Sequence, residues 1–217
     1  MTAVRPPDLA ALRVEYESTG LSRADMAADP FDEFALWFEA AVAAGVDQAN
    51  AFVLATASAD GAPSARAVLM KDFSTAGIVF YTSTASRKGR ELAENPRAAA
   101  CFVWLDLHRQ IRLEGGVEEV APAISDAYFR SRPPGSRLAA AASPQSAVVS
   151  DRATLDARWD ELAATYPDGD VPRPEWWGGF RILPDVFEFW QGRPNRFHDR
   201  VRYRRRDGDW VTERLAP

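Results

Sequence analysis

The sequence predicts a mainly β protein with added helices, an α+β chain organised around an antiparallel barrel. Three observations carry that prediction. After residue 45 the apolar pattern leaves helical spacing for short runs that alternate or are rich in β-formers. Turn-forming clusters, Ala59-Asp60-Gly61 and Ser74-Thr75-Ala76-Gly77, separate the first of these runs. Regular helical crossovers, which a parallel sheet requires, are missing between them.

The elements follow in order. Residues 7–17 read as a short helix with Leu9, Leu12 and Tyr16 roughly on one face. Asp29-Pro30 supplies a helix cap followed by proline at the first helical position, and Glu33 near the third position can add a capping interaction. The helix runs through Phe31, Phe34, Trp37, Phe38 and Val42 and stops at Gly45. Strands are expected at 51–58, 63–72 and 77–83, a helix over 86–94 ending before Asn95-Pro96, and strands at 98–105 and 109–120. Residues 122–142 and 151–165 read as helical, and the tail returns to strands near 179–183, 186–191, 199–206 and 209–214. No repeat with a period of about 20–50 residues is visible, and the chain reads as one domain.

Composition narrows the function classes. With 217 residues, 47% hydrophobic and 26% charged, a sizeable core can be buried. The formal net charge of -5 argues against a general binder of nucleic acid or of anionic membranes. The longest uncharged run, between Asp72 and Arg87, has 14 residues, too short to cross a membrane as a helix. Charges at Asp8, Arg13 and Glu15 interrupt any N-terminal apolar block, so no secretory signal is visible. A lone cysteine, Cys101, forbids an internal disulfide, sits in the apolar string AAACFVWL and is expected to act as a buried small hydrophobe; a reducing cytoplasm is the expected home. No G-x-G-x-x-G follows a strand, no phosphate-binding P-loop and no G-x-S-x-G are present, and His108 and His198 lack partners at metal-ligand spacing, so no metal site is expected.

What is present suits phosphate esters. Of 26 cationic residues only Lys71 and Lys88 are lysine, so a retained lysine is informative. Arg66 to Lys71 forms one segment; strand parity would send Arg66 and Lys71 to opposite faces, serving two ligands or one that wraps a strand end. Tyr81-Thr82-Ser83-Thr84-Ala85-Ser86-Arg87-Lys88 runs from a strand end into a helix start, combining hydroxyls, cations and free helical N–H groups. Tyr128 and Arg132 share a helix face, with Ser136 following. In the tail, Trp190 can supply an aromatic wall and Gln191 can donate and accept hydrogen bonds. Arg196, His198 and Arg200 alternate, so an extended strand would line them on one face, where something anionic would relieve their repulsion. Trp176 and Trp177 read as core or interface packing.

Taken together these segments resemble the pyridoxine (pyridoxamine) 5'-phosphate oxidase family. The resemblance runs from Leu12-Arg13-Val14-Glu15-Tyr16 to Glu213-Arg214-Leu215-Ala216-Pro217. Its most specific pieces are the Arg66–Lys71 segment, Tyr81-Thr82 with Ser86-Arg87-Lys88, Arg109-Gln110 with Glu114-Gly115, Ser131-Arg132-Pro133, Gln145-Ser146, Trp177-Gly178-Gly179-Phe180, and Phe189-Trp190-Gln191-Gly192 followed by Arg196-Phe197-His198-Asp199-Arg200. It implies an FMN-binding split β-barrel homodimer with FMN in clefts between subunits, residues 1–28 including a lid segment, and 171–217 completing the site and interface. The implied reaction is oxidation of pyridoxamine 5'-phosphate or pyridoxine 5'-phosphate to pyridoxal 5'-phosphate, a hydride passing from substrate C4' to flavin N5, with O2 as acceptor and H2O2 as by-product.

Carried over by motif, FMN would meet Arg66, Ala67, Val68, Leu69, Met70, Lys71, Tyr81, Thr82, Arg87, Lys88, Gln110, Gln145, Ser146, Trp190 and Arg200. The substrate phosphate would meet Lys71, Tyr128, Arg132 and Ser136. Arg196 and His198 would border the pyridine ring as the catalytic pair, one of them assisting proton removal, and Arg13 and Tyr16 would belong to the lid. Phe197, Met70 and Pro144 depart from the commoner residues, only the last changing a peripheral charge. Three other readings stay open at this point: a split-barrel reductase with another substrate, a non-catalytic carrier of FMN or pyridoxal phosphate, and a dimerisation scaffold without ligand.

Overall fold

The computed structural model describes residues 15, 16, 18 and 20–217. The helix expected over 7–17 therefore lies outside the described residues, apart from Glu15 and Tyr16. Helix α1 (Pro30–Ala43) begins where the sequence placed it, with Asp29 accepting a hydrogen bond from the Phe31 amide at 2.8 Å. It ends in a left-handed cap: Val46 N–H donates to Ala41 and Gly45 N–H to Val42, with Gly45 at φ +75°. Glu33 differs from expectation. It lies buried and accepts from the Ala27 amide at 2.8 Å, and Tyr203 Oη donates to the Ala27 carbonyl at 2.7 Å, so the chain entering α1 is held on both sides.

Among the described residues nine strands form one sheet in which every pairing is antiparallel. The order is β2 (Pro63–Leu69), β1 (Ala51–Ala57), β5 (Arg97–Trp104), β6 (Arg109–Glu119), β7 (Trp177–Gln191), β4 (Gly77–Ser83) and β3 (Asp72–Ser74). Strands β8 (Asp199–Arg206) and β9 (Asp209–Leu215) continue from the far half of β7. The sheet curls into the half-barrel of a split-barrel fold. Phe31, Phe34 and Trp37 of α1 fill it against Phe52, Phe102, Phe187 and Phe189. A second, smaller cluster of Phe129, Leu138, Val171 and Trp177 binds α3 (Pro122–Ser131), α4 (Pro134–Ala142) and α5 (Arg152–Thr165) to the sheet.

Three boundaries correct the sequence reading. The strand expected over 63–72 stops at Leu69, because Met70 N–H bonds Asn50 of the β1 side while Lys71 N–H bonds Val79 of β4, both at 2.8 Å. The chain crosses there from one edge of the barrel to the other. The helix expected over 122–142 breaks at Arg132, which the following Pro133 holds extended at φ -72°, ψ 149°. The two tail strands expected near 179–183 and 186–191 are one 15-residue strand, β7. Pro184 sits at a bulge opposite Gly115, where the ladder tolerates a missing N–H; a Cβ on Gly115 would stand 2.0 Å from the Leu183 carbonyl oxygen. The bulge divides β7 between partners, β4 up to Ile182 and β8 from Val186.

Candidate active site

A cleft of about 610 Å³ opens where the exit of β2, strand β4, helix α2 (Arg87–Glu94) and the helical lobe meet. Arg66, Ala67, Val68, Leu69 and Lys71 line one wall, Thr82, Ser83 and Lys88 the floor, and Tyr81, Tyr128, Arg132, Trp177 and Gln145 the other wall. Arg66 and Lys71 thus share one cleft rather than serving opposite faces, because the chain leaves the strand between them. Met70 is the exception in that segment: it is buried in the core and does not line the cleft.

The floor is a cluster of hydrogen-bond donors built by local sequence. Ser86 caps α2, accepting from Gly89 N–H at 3.3 Å and donating to the Ser83 carbonyl at 2.6 Å. That close turn requires glycine at 89, whose Cβ would lie 2.1 Å from the Thr84 carbonyl oxygen. Lys88 is buried, and its ammonium donates to Thr82 Oγ1 and Gln145 Oε1, each at 3.1 Å. Among the described residues no carboxylate pairs with it. Burial first, and Arg66 second, push its pKa down. Ser83 Oγ, also buried and on the cleft, has no partner among the described residues.

Arg66 is aimed by a residue that the sequence reading overlooked. Glu91, with a side chain 6% exposed, accepts from Thr56 Oγ1 at 2.5 Å, Ser64 Oγ at 2.6 Å, Arg87 Nε at 2.8 Å and Arg66 Nη2 at 3.3 Å. Burial opposes its charge, but the Ser64, Thr56, Arg87 and Arg66 hydrogen bonds prevail and hold its pKa at about 2. The four-residue spacing from Arg87 to Glu91 was the available signal. Arg87 itself is 59% exposed, turned towards Glu91, and does not line the cleft.

The opposite wall is a stack. Tyr81 lies face to face with Tyr128 at 4.0 Å and with Trp177 at 5.4 Å, and the Arg132 guanidinium stands over Trp177 at 4.9 Å. Trp177 is therefore both packing, as expected, and a cleft wall, while Trp176 is 46% exposed. Arg132 Nη1 is buried with no acceptor among the described residues. Burial pushes the Arg132 pKa down and the Tyr128 and Tyr81 phenols up. Ser136 sits in the first turn of α4, outside the cleft lining, and Ser146 lies beside Gln145 in a left-handed conformation at φ +70°.

The remaining candidates gather elsewhere. The Tyr16 ring packs against His108 at 4.5 Å and His198 at 5.6 Å, and Trp190 against His198 at 4.7 Å. Arg193 N–H donates to His198 Nδ1 at 3.1 Å. Burial, then Arg196, push the His198 pKa below 6.5. Gln110, Trp190 and Arg200 form a cross-strand row on the outward face of β6, β7 and β8. The alternation expected for Arg196, His198 and Arg200 fails, because Asn195 and Arg196 take left-handed conformations in a turn and β8 starts only at Asp199. Arg200 pairs instead with Glu188 at 2.7 Å. Gln191 is structural, accepting from Arg109 Nε and donating to the Leu107 and His108 carbonyls. Cys101 is half-buried on the outward face, its pKa pushed up mainly by burial. Arg13 lies outside the described residues.

The two groups occupy opposite ends of β7. Tyr81 pairs with Gly179 and Gln110 with Trp190, 11 positions apart, which at ~3.3 Å per residue is roughly 36 Å along the strand.

Comparison with known proteins resolves the family. Residues 38–166 match the family described as pyridoxamine 5'-phosphate oxidase, and residues 177–217 match the pyridoxine 5'-phosphate oxidase C-terminal dimerisation region. The chain belongs to the pyridoxamine 5'-phosphate oxidase family. The pyridoxine/pyridoxamine 5'-phosphate oxidase of Burkholderia vietnamiensis is 50% identical over 212 residues, covering 96% of this chain and 99% of that one. Among solved structures, PhzG of Burkholderia lata, in complex with tetrahydrophenazine-1-carboxylic acid, superposes with a TM-score of 0.86 at 32% identity, covering 92% and 98%. A pyridoxamine 5'-phosphate oxidase-related, FMN-binding protein of Nostoc punctiforme shares the fold at TM-score 0.69 and 17% identity, covering 88% and 100%. The split barrel and the oxidase family expected from sequence thus both stand, and the chain is an oxidoreductase of that family. No helix among the described residues is long and apolar enough to cross a membrane.

Proposed function

We propose that the chain is an FMN-dependent pyridoxine/pyridoxamine 5'-phosphate oxidase working as a homodimer. The observation that carries the reading is the cradle: a buried lysine that no carboxylate pairs among the described residues, with Ser83 Oγ and Arg132 Nη1, which have no partner among the described residues, on the same cleft. Buried cations and donors left open in this way fit phosphate oxygens. Two phosphates, one on FMN and one on substrate, account for having both the Arg66–Lys88–Thr82 group and the Lys71–Tyr128–Arg132 group along a single cleft.

FMN, when bound, supplies the two-electron oxidant that the side chains lack. Everything else belongs to the chain. Glu91 fixes the Arg66 guanidinium. The Tyr81–Tyr128–Trp177 stack holds the Arg132 guanidinium in place over Trp177. His198 receives a backbone N–H at Nδ1, so its own proton resides on Nε2, and in the neutral form it is a hydrogen-bond donor there rather than a base. With its pKa lowered, that form prevails at neutral pH. The proton-removing role considered from sequence thus gives way, for His198, to holding and orienting the substrate ring.

One copy cannot bring both groups to a single ligand. The outward face of β2, β1 and β5 offers what a second copy would cover: exposed Leu69, Val53 and Val103 among small alanines, with Val103 in register with the Gln110–Trp190–Arg200 row. Trp190, Arg196 and His198 would then face the partner's cradle. The net reaction is pyridoxamine 5'-phosphate, O2 and water giving pyridoxal 5'-phosphate, ammonia and H2O2; pyridoxine 5'-phosphate needs no water and releases no ammonia. The test is to record the flavin spectrum of the purified protein and follow aldehyde and peroxide aerobically with each substrate. A yellow protein that turns over neither substrate overturns the reading.

A further inference from the structure

We propose that Asp199 is a positioning residue that ties the N-terminal segment carrying Tyr16 to the turn carrying Arg196 and His198, so that the two order as one unit; its bearing on substrate rests on the function proposed above. Asp199 is buried at the start of β8, and its two oxygens serve different elements. Oδ2 accepts from the Leu21 amide at 2.9 Å and from Arg193 Nη1 at 3.1 Å. Oδ1 accepts from Arg214 Nη1 at 2.5 Å, and Arg214 Nη2 donates to the Leu21 carbonyl at 2.8 Å. Leu21 is thereby gripped at both its N–H and its C=O.

The same carboxylate reaches His198 through Arg193. Its hold on the guanidinium fixes the residue whose main-chain amide engages His198 Nδ1. Further ties run along the segment: Ser18 Oγ donates to the Gly192 carbonyl at 2.6 Å, and Asn195 N–H donates to Glu15 Oε2 at 3.4 Å. Gly20 passes against this cluster at φ +89°, where a Cβ would stand 2.2 Å from Arg193 Nη1 and 2.9 Å from Asp199 Oδ2. Burial disfavours the Asp199 charge, but the Leu21 amide and the Arg214 and Arg193 hydrogen bonds hold its pKa below the ordinary value. A carboxylate so held is the common acceptor of three donors, and losing it releases all three together.

The full-length protein as purified tests this in Asp199→Asn. Amide hydrogen exchange should rise at least tenfold in peptides spanning both 15–21 and 193–199, and the His198 imidazole nitrogen resonances should move away from a single Nε2–H tautomer. In the aerobic assay KM should rise about tenfold with a much smaller change in kcat. Exchange that is unchanged, or that rises in one segment only, overturns the proposal, as does an unmoved His198 signal. If Asp199→Asn does not fold, Arg214→Gln decides: Arg214 holds both Asp199 Oδ1 and the Leu21 carbonyl, so exchange should rise in both 15–21 and 193–199, and a rise in neither or in one segment only overturns the proposal. Exchange and tautomer are read without substrate, so they judge the coupling even if neither vitamin phosphate is turned over.

Discussion

Replacing Glu91 by glutamine is the most direct challenge to the cradle. The substitution keeps shape and removes one charge from a group that four donors address. In the fold the carboxyl titrates at about 2 rather than the ordinary 4.5. A depressed carboxylate pKa stabilises the fold fully above the unfolded value and loses that contribution as pH falls through the folded value, here between about 4.5 and about 2. At ~1.4 kcal/mol for each tenfold change in proton affinity, the shift corresponds to roughly 3 kcal/mol; water in the adjoining cleft and the exposed Arg87 partner reduce this to about 2 kcal/mol. Urea unfolding of wild type and Glu91→Gln measures it. The variant should be about 2 kcal/mol less stable at pH 7, and the gap should shrink by more than half by about pH 3, since glutamine does not titrate. A gap that stays constant over that range would refute the electrostatic account and leave only packing. Arg66, freed of its anchor, should also weaken FMN binding, read by quenching of flavin fluorescence.

Four further outcomes are expected. Lys88→Met should raise the melting temperature of the flavin-free protein, because a buried unpaired cation costs stability, while FMN affinity falls by at least tenfold in titration calorimetry. Gly115→Ala should destabilise the fold by about 2 kcal/mol or more in denaturant unfolding, since its Cβ would meet the Leu183 backbone oxygen at 2.0 Å. Val53→Arg, on the outward face of β1, should shift the protein towards monomer in sedimentation and abolish turnover without loss of helix signal. In the pH profile of kcat/KM an acid limb lying below 6.5 should vanish in His198→Asn, with the larger part of the loss in KM; an unchanged kcat/KM for that variant across pH 6–9 would remove His198 from the site.

Local signals carried far in this chain. Asp29-Pro30 and Ser86-Arg87 start helices where capping chemistry demands, and the turn residues between β1 and β2 and between β3 and β4 end strands on time. The Arg66, Thr82–Lys88 and Tyr128–Arg132 segments converge on one cleft because each sits at a strand exit or helix end that the barrel brings together. What escaped depends on tertiary context. Residues 179–191 read as two strands, but the bulge opposite Gly115 absorbs Pro184 and β7 runs on. Met70 reads as one more site residue, but the crossing between β1 and β4 drives it into the core. Alternation at 196–200 assumes an extended chain, and the left-handed Asn195 and Arg196 break it. Glu91 was overlooked because its importance comes from Thr56 and Ser64 on two neighbouring strands, which no window of sequence contains.

The length of β7 ties these findings together. A strand of 15 residues, bent at its middle, carries Trp177 and the cradle's neighbours at one end and Trp190 at the other. Within one chain that arrangement separates the cations that suit a phosphate from the histidine and aromatics that suit a ring. In the proposed homodimer a two-fold axis through the outward face would turn the separation into an advantage, since an isologous contact would set each end against the opposite end of its partner and make two identical sites. The same reading accounts for the row Val103–Gln110–Trp190–Arg200, where the apolar patch of one copy runs into polar groups without a core or cleft of their own. On this argument the dimer is part of the active site rather than an addition to it.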